Sequence, residues 1–456
     1  MSFPSRQIIL PKLTVRVILY ICTAAALLSG LTAYWSLQGP LKYTIEHELP
    51  SSNPSFQRPT QQQSKIYPST TLSAPSSKAT TPFSHLLPED LEGSEDVELI
   101  FKTGATELFD KLPVHFVTTL THVPHYNIFS DIDQKVGDYV IHDSLKGYNR
   151  TVKEKNSDFK LYLELQNDKP LRQDPKRLGL KGGWELDKYK NIYTLSEAFK
   201  MRPDAKWYLF IDADTYVMWP NLLRWLKDKD HKKPLYFGSP AMFKDVTFGH
   251  GGTGYLVSNG AMQEVVGKNP DVAKNYEDEA ANSCCGDHVI GKLFFDHGIE
   301  LTRANPSFNG EPPYSVAFAM DRWCEPVVTF HHMLASDVED MWEFERENAT
   351  ANRDIIFADI FAHFVEPQLI EERECWDNYS ENERWENVDG RSNLTYADCK
   401  KACEDDEDCR QFMFKKGSCK TSPYVKAGWK LPAGDTMKSG WLLDRTKALR
   451  EKACPR

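Results

Sequence analysis

The chain has 456 residues, 41% hydrophobic and 26% charged, an ordinary globular balance with enough material for one large domain plus a small one. A formal net charge of −10 excludes a general nucleic-acid binder, whose phosphate contacts need a basic surface. Aromatic residues reach 12% and include 11 Trp, which sugar-handling surfaces and large cores use alike.

From Val17 to Leu37 the chain carries no charge over 21 residues. As a helix this run spans ~31 Å, about the thickness of a bilayer core. Arg6, Lys12 and Arg16 precede it, and Lys42, Glu46 and Glu48 follow. That asymmetry predicts a cytoplasmic tail (1–16), a single transmembrane signal anchor (17–37) and a luminal remainder. A cleaved signal peptide is the alternative, but its apolar core is usually about 7–15 residues, and Tyr34-Trp35 suits an interfacial anchor.

Residues 38–94 form the predicted stem, its bulk rich in Ser, Thr, Pro and Gln. Such a segment buries too little apolar surface to offset its chain entropy. Folded sequence is expected from about 95. Apolar runs at Val97–Phe101, Val114–Val117, Trp207–Ile211 and Leu235–Phe237 read as buried strands, and Asn221–Lys227 as an amphipathic helix opened by Pro220. Continuous apolar strands alternating with helices predict an α/β domain over 95–370, with a mostly parallel sheet covered on both faces.

The strongest chemical signal is Phe210-Ile211-Asp212-Ala213-Asp214-Thr215. Two carboxylates at the carboxyl end of an apolar strand stand where open α/β sheets bind ligands. Hard oxygen donors there suit Mg²⁺ or Mn²⁺, which a nucleotide-sugar diphosphate needs to offset its charge. Alone, the triplet is better read as a polar strand-to-loop turn. Four further segments bear on the reading, in chain order: Asp187-Lys188-Tyr189-Lys190-Asn191, Phe248–Tyr255 (FGHGGTGY), Gly286-Asp287-His288-Val289-Ile290-Gly291, and Thr329-Phe330-His331.

Together with Lys206–Val217 (KWYLFIDADTYV), these segments resemble glycosyltransferase family 31, the fringe-like and core-1 β-1,3-galactosyltransferase enzymes. The resemblance covers roughly residues 95–335. It implies a GT-A type nucleotide-sugar transferase fold, Mn²⁺ (or Mg²⁺) and a UDP-sugar donor. It also implies metal ligands at Asp214 and His331, with Asp212 at the metal shell or the ribose. Lys102-Thr103-Gly104 would hold the nucleotide, Gly251 and Gly252 would let backbone approach the sugar, and Asp287 would be the general base. On residue preference alone, Asp287 is also a good helix N-cap before HVIGKLF. His250 and His332 flank matched positions and are left outside the metal set. The family's pattern is broken at Ala213, the middle of its acidic triplet, and at Gly286, where many relatives carry a second acid.

Ten cysteines support an oxidising compartment, and six of them lie between Cys375 and Cys454. Residues 371–456 resemble a PAN/apple module in their cysteine spacing, in Tyr396-Ala397-Asp398-Cys399 and in Ser439-Gly440-Trp441. Six cysteines allow fifteen pairings. The nested set Cys375–Cys454, Cys399–Cys419 and Cys403–Cys409 is the expectation, with Cys284 or Cys285 bonded to Cys324 and one luminal cysteine unpaired. Sequons at Asn149, Asn348, Asn378 and Asn393 would be open to glycosylation.

The functional expectation is an inverting transferase in the Golgi membrane, single-pass type II, with the endoplasmic reticulum as the alternative site. It would move a hexose or N-acetylhexosamine, galactose in β-1,3 linkage by the resemblance, onto a glycan or glycoprotein acceptor. The rival class is a membrane-tethered glycan- or protein-binding protein whose transferase domain is silent.

Overall fold

A computed structural model describes residues 91–169, 173–348, 353–385, 394–451 and Cys454. The expected tail, the anchor at 17–37 and the stem as far as residue 90 lie outside these residues. Among the described residues no helix is long and apolar enough to cross a membrane.

The strands up to residue 330 are β1 (Val97–Lys102), β2 (Tyr126–Ser130), β3 (Gln134–Val136), β4 (Tyr139–Asp143), β5 (Trp207–Asp212), β6 (Tyr216–Val217), β7 (Tyr236–Gly238), β8 (Pro240–Phe243), β9 (Val246–Gly249), β10 (Tyr255–Ser258), β11 (Leu301–Arg303) and β12 (Thr329–Phe330). Eight of them build one sheet in the order β11-β7-β10-β5-β1-β2-β4-β3. β1 pairs in parallel with β2 and β5, β2 with β4, and β7 with β11. β10 runs antiparallel between β5 and β7, and β3 antiparallel to β4. This is the expected mixed α/β architecture with a large, mostly parallel sheet.

Period-two alternation explains its two covered faces. Ile100 of β1 and Tyr208 and Phe210 of β5 join Ile192, Leu195 and Ala198 of the helix Lys190–Met201 and Leu293 of the helix Gly286–Asp296. Leu99 and Phe101, with Leu209 and Ile211, face Trp219 and Leu222 of the helix Trp219–Leu226. Each such buried side chain stabilises by about 1.5–3 kcal/mol. The one acid inside β1, Glu98, is satisfied by Asn127 Nδ2 at 2.7 Å and Arg202 at 3.3 Å.

One expected strand is a helix. Pro113–Val117 forms a short helical segment, because Pro113 at its first position pre-sets a helical φ and has no N–H to leave unpaired. Its place beside β1 is taken by β2, whose mixed sequence YNIFS hides a strand buried only at its second half.

The remaining strands are β13 (Glu372–Glu374), β14 (Trp376–Asp377), β15 (Asn382–Trp385), β16 (Gln411–Lys415), β17 (Ser418–Ser422), β18 (Trp429–Lys430) and β19 (Lys438–Trp441). Five form an antiparallel sheet, β13-β19-β16-β17-β15, and β14 pairs with β18. The helix Tyr396–Glu404 lies against this sheet, opened by a reciprocal Thr395–Asp398 capping box and pinned by Cys399–Cys419 and Cys403–Cys409, as expected.

The third pairing differs. Cys454 is bonded to Cys324, Cys284 to Cys285, and Cys375 is unbonded, its thiol donating to Asp435 O at 3.2 Å. The cause is packing. Trp441, Leu449, Val425 and Ala427 share one apolar cluster with Phe318, Trp323 and Phe361, so the C-terminus returns to the larger part of the chain. Phe318 and Val425 also exchange both backbone hydrogen bonds at 3.1 Å. The sequon at Asn378 is not open to modification: its side chain is fully buried and donates to Phe412 O and Gly440 O. Asn149 is an exposed helix N-cap, and Asn393 lies outside the described residues.

Candidate active site

β5 ends at Asp212, so the carboxylates Asp212 and Asp214 emerge at the carboxyl end of the sheet's centre. Ala213 between them is buried in the apolar cluster of Leu108, Val217 and Trp219. An acid at this position would lose its hydration there without a partner in that cluster. Its carbonyl accepts from His115 Nε2 at 2.9 Å, and its N–H donates to Lys102 O at 2.9 Å. Burial lowers the His115 pKa to about 4, so this imidazole is a neutral strut.

Asp214, His331 and His332 converge. One ligand atom from each lies within 4.8 Å of the other two. Asp214 Oδ1 stands 3.4 Å from His331 Nε2, and Asp214 Oδ2 lies 3.0 Å from Lys111 Nζ. Burial works against the charge on Asp214, but His331 and Lys111 outweigh it and hold the carboxyl well below the ordinary range. His332, left outside the set on sequence grounds, belongs to the group. Successive side chains of an extended strand point to opposite sides. At His332 the backbone is left-handed, with φ of 58°, and the two imidazoles lie side by side with centroids 3.8 Å apart. His250 stays outside, its Nδ1 accepting from Thr253 N at 3.2 Å.

Asp212 lies on the other side, 3.2 Å from Lys102 Nζ. Burial raises its pKa, against the pull of Lys102. Lys102 also reaches Asp187 Oδ2 at 2.7 Å, and Asp187 Oδ1 lies 3.3 Å from Lys190 Nζ. Lys190 is buried, pairs with Asp131 at 2.8 Å and donates to Thr103 O at 2.9 Å. Asp131 Oδ2 in turn accepts from Ala105 N at 2.7 Å. The turn Lys102-Thr103-Gly104 is therefore fixed from both sides by a chain of alternating charges. Buried ions of this kind hold a geometry when every member is paired.

The glycine loop joins the two halves of the site. Gly251 N donates to Asp287 Oδ2 at 2.7 Å, while Gly252 lies against the His331 ring. Thr215 Oγ1 donates to Gly252 O, and Thr329 Oγ1 to Thr253 O, each at 2.7 Å, tying the loop to the turn after β5 and to β12. Asp287 sits in the first turn of the helix Gly286–Asp296, whose N-cap is Cys285, so the N-cap reading of Asp287 does not hold. Its side chain is buried and turned to the glycine loop. Gly286 has a structural reason as well: a Cβ there would stand 2.7 Å from the Asn191 side chain.

All five sequence segments thus meet at one place. Lys102, Thr103, Gly104, Asp212, Asp214, Gly251, Gly252, Asp287 and His331 are within one connected set of contacts. Sequence reasoning missed Lys111, His115, Asp131 and His332 and gave no role to Asp187 and Lys190. For the last two the signal was present in the segment Asp187–Asn191. For the others, only the fold brings them in.

The residues fit a divalent metal ion. A carboxylate and imidazoles converge, and the buried His331 Nδ1 has no hydrogen-bond partner. On the Asp212 side, a small cavity of about 10 Å³, room for one water, opens between Lys102, Asn191, Thr194, Asp212 and Gly251.

No family model matches this sequence, and no curated protein does. Among solved structures the chain is similar to one titled "Crystal structure of a glycosyltransferase involved in the glycosylation of the major capsid of PBCV-1". The identity is 10%, the match covers 54% of this chain and 98% of that one, and the TM-score is 0.28.

Proposed function

We propose that the chain is an inverting, metal-dependent glycosyltransferase of the GT-A type and of family 31 character. It moves a hexose or N-acetylhexosamine, galactose in β-1,3 linkage first among them, from a UDP-sugar to a glycan acceptor on secretory-pathway glycoproteins. The observation that carries this reading is the glycine loop, which places Asp287 on Gly251 and His331 with Asp214 beside Gly252.

Asp214, His331 and His332 would hold Mn²⁺ or Mg²⁺, with Asp212 at the ribose or the edge of the metal shell. When bound, the cation offsets the charge of the diphosphate and of the leaving group. The turn Lys102-Thr103-Gly104 would hold the nucleotide, its backbone braced by Lys190. Asp287 takes the acceptor hydroxyl's proton as that oxygen bonds to the anomeric carbon and the bond to the diphosphate breaks. Gly251 N occupies one lone pair of Oδ2 and so orients the carboxylate. The anchor at 17–37, the luminal orientation, the Golgi location and the PAN/apple-like character of residues 371–456 belong to the same proposal.

The test is a screen of UDP-galactose, UDP-N-acetylgalactosamine, UDP-N-acetylglucosamine and UDP-glucose with the full-length chain in detergent, with Mn²⁺ or EDTA. Metal-dependent UDP release from one donor names the sugar. No release from any of them, with no metal-dependent nucleotide binding, contradicts the proposal.

A further inference from the structure

β14 and β18 form a two-stranded ribbon in which Asp377 stands opposite Trp429. Trp429 is 41% exposed, an unusual position for an indole. It is nevertheless held. Tyr379 meets its ring edge-on with centroids 4.1 Å apart, and Tyr314 at 5.7 Å. Gly428, at φ of 70°, lets the two chains approach, since a Cβ there would lie 1.9 Å from Asp377 O. Tyr379 N donates to Asp377 Oδ1 at 2.8 Å, which holds this carboxylate beside the ring pair.

This aromatic group is continuous with the candidate active site. Asp337 Oδ2 accepts from Tyr314 OH at 3.2 Å and from Leu334 N at 2.9 Å, and Leu334 is two residues beyond His332. Tyr314 O accepts from Gly428 N at 2.8 Å. Asn309, at the start of the loop that carries Glu311 and Tyr314, donates its N–H to Thr329 Oγ1 at 3.2 Å, two residues before His331. The exposed Glu311, on the same loop as Tyr314, accepts from Ser315 Oγ at 2.6 Å through Oε2.

We infer that Trp429, Tyr379 and Tyr314, with the carboxylates of Glu311 and Asp377, form a subsite for the acceptor saccharide, supplied to the transferase site by the C-terminal module. The inference rests on the transferase reading above. A pyranose ring presents an apolar C–H face, which an exposed indole covers, and a rim of hydroxyls, which donate to carboxylates. A rigid aromatic ring flanked by a few polar groups is the composition of a small-ligand site. A single exposed indole edged by acids is far smaller than the roughly 800 Å² per partner of a protein interface. Negative charge on the rim also disfavours nucleic acid and anionic lipid.

The experiment measures saccharide binding by the full-length chain in detergent, separately from nucleotide binding. The probes are N-acetyllactosamine, methyl β-D-galactopyranoside, methyl α-D-mannopyranoside and benzyl N-acetyl-α-D-galactosaminide, followed by saturation-transfer NMR and calorimetry. At least one should bind the wild type. Trp429→Ala should weaken it by about tenfold or more, and Trp429→Phe should restore most of the affinity. Glu311→Gln, an exposed change with little folding risk, should weaken it severalfold. UDP with Mn²⁺, titrated into the same samples, reports on the donor side and on the integrity of the fold. No binding of any probe to the wild type, or unaltered affinity in both Trp429→Ala and Glu311→Gln, overturns the subsite. Trp429-dependent saccharide binding in a wild type that takes up no nucleotide would overturn the transferase reading instead and leave a glycan-binding module.

Discussion

Gly252 and His331 are in direct contact: a Cβ at 252 would stand 2.1 Å from His331 Cε1 and 2.3 Å from Nε2. No side chain fits without moving the imidazole that faces Asp214. Gly252→Ala should therefore weaken Mn²⁺-dependent UDP binding by tenfold or more, with an overpacking cost to stability of about 1–3 kcal/mol. Calorimetric titration of UDP with Mn²⁺, alongside thermal unfolding, checks both. A variant that binds UDP normally would remove the loop from the metal site.

Asp287 tests the chemistry rather than the binding. Asp287→Asn keeps the size of the group but removes its basicity. Transfer should fall by about 10²–10⁴-fold. The affinity for UDP should change little, since Asp287 meets Gly251 rather than the nucleotide turn. The readout is kcat with the donor at saturation, compared with the UDP dissociation constant.

The Cys324–Cys454 bond closes a loop with a sequence separation of 130 and joins the C-terminus to the larger part of the chain. Removing it should cost about 2–4 kcal/mol of stability. Cys324→Ser and Cys454→Ser should lower the thermal midpoint equally, and the double variant no further, because one bond is lost in each. Peptide mapping without reduction should recover the 324–454 pair and a free Cys375. A Cys375–Cys454 peptide would contradict the packing described here.

Glu345 is buried, and its carboxyl accepts from Tyr216 OH. Burial raises its pKa from the ordinary 4.5 to about 7, a rise opposed by the Tyr216 hydroxyl. The folded state therefore binds a proton that the unfolded chain releases between roughly pH 4.5 and 7. Its contribution to stability is greatest at the acid end of that window and is lost as the pH rises through it. The change is on the order of 3 kcal/mol. Glu345→Gln should flatten the thermal midpoint between pH 5 and pH 8 by a few degrees relative to wild type. An identical pH profile in the variant would refute the assignment.

The fold was legible where strands are apolar on both faces. Val97–Phe101 and Trp207–Ile211 declare themselves because both sides of the sheet are covered. β2 and the helix at Pro113 did not, the first because YNIFS has no clear period and the second because the short run Val114–Val117 suits a strand as well as a helix. The site was legible as segments in order, yet the contacts among them were not. His332 enters through a left-handed backbone that composition does not signal, and Lys111 pairs with Asp214 across 103 residues. The partner of Cys454 was hidden for the same reason: Cys324 and Cys454 meet only because Trp441 and Leu449 pack on Phe318 and its neighbours.

The central claim is that Asp214 and His331 bind a divalent cation that in turn holds a nucleotide sugar. The direct measurement is calorimetric titration of UDP into the full-length chain with Mn²⁺ and with EDTA, for wild type, Asp214→Ala and His331→Ala. Binding by the wild type only with Mn²⁺, and weaker by about a hundredfold or more in both variants, is the predicted result. UDP binding that ignores the metal, or that survives both substitutions unchanged, would contradict it.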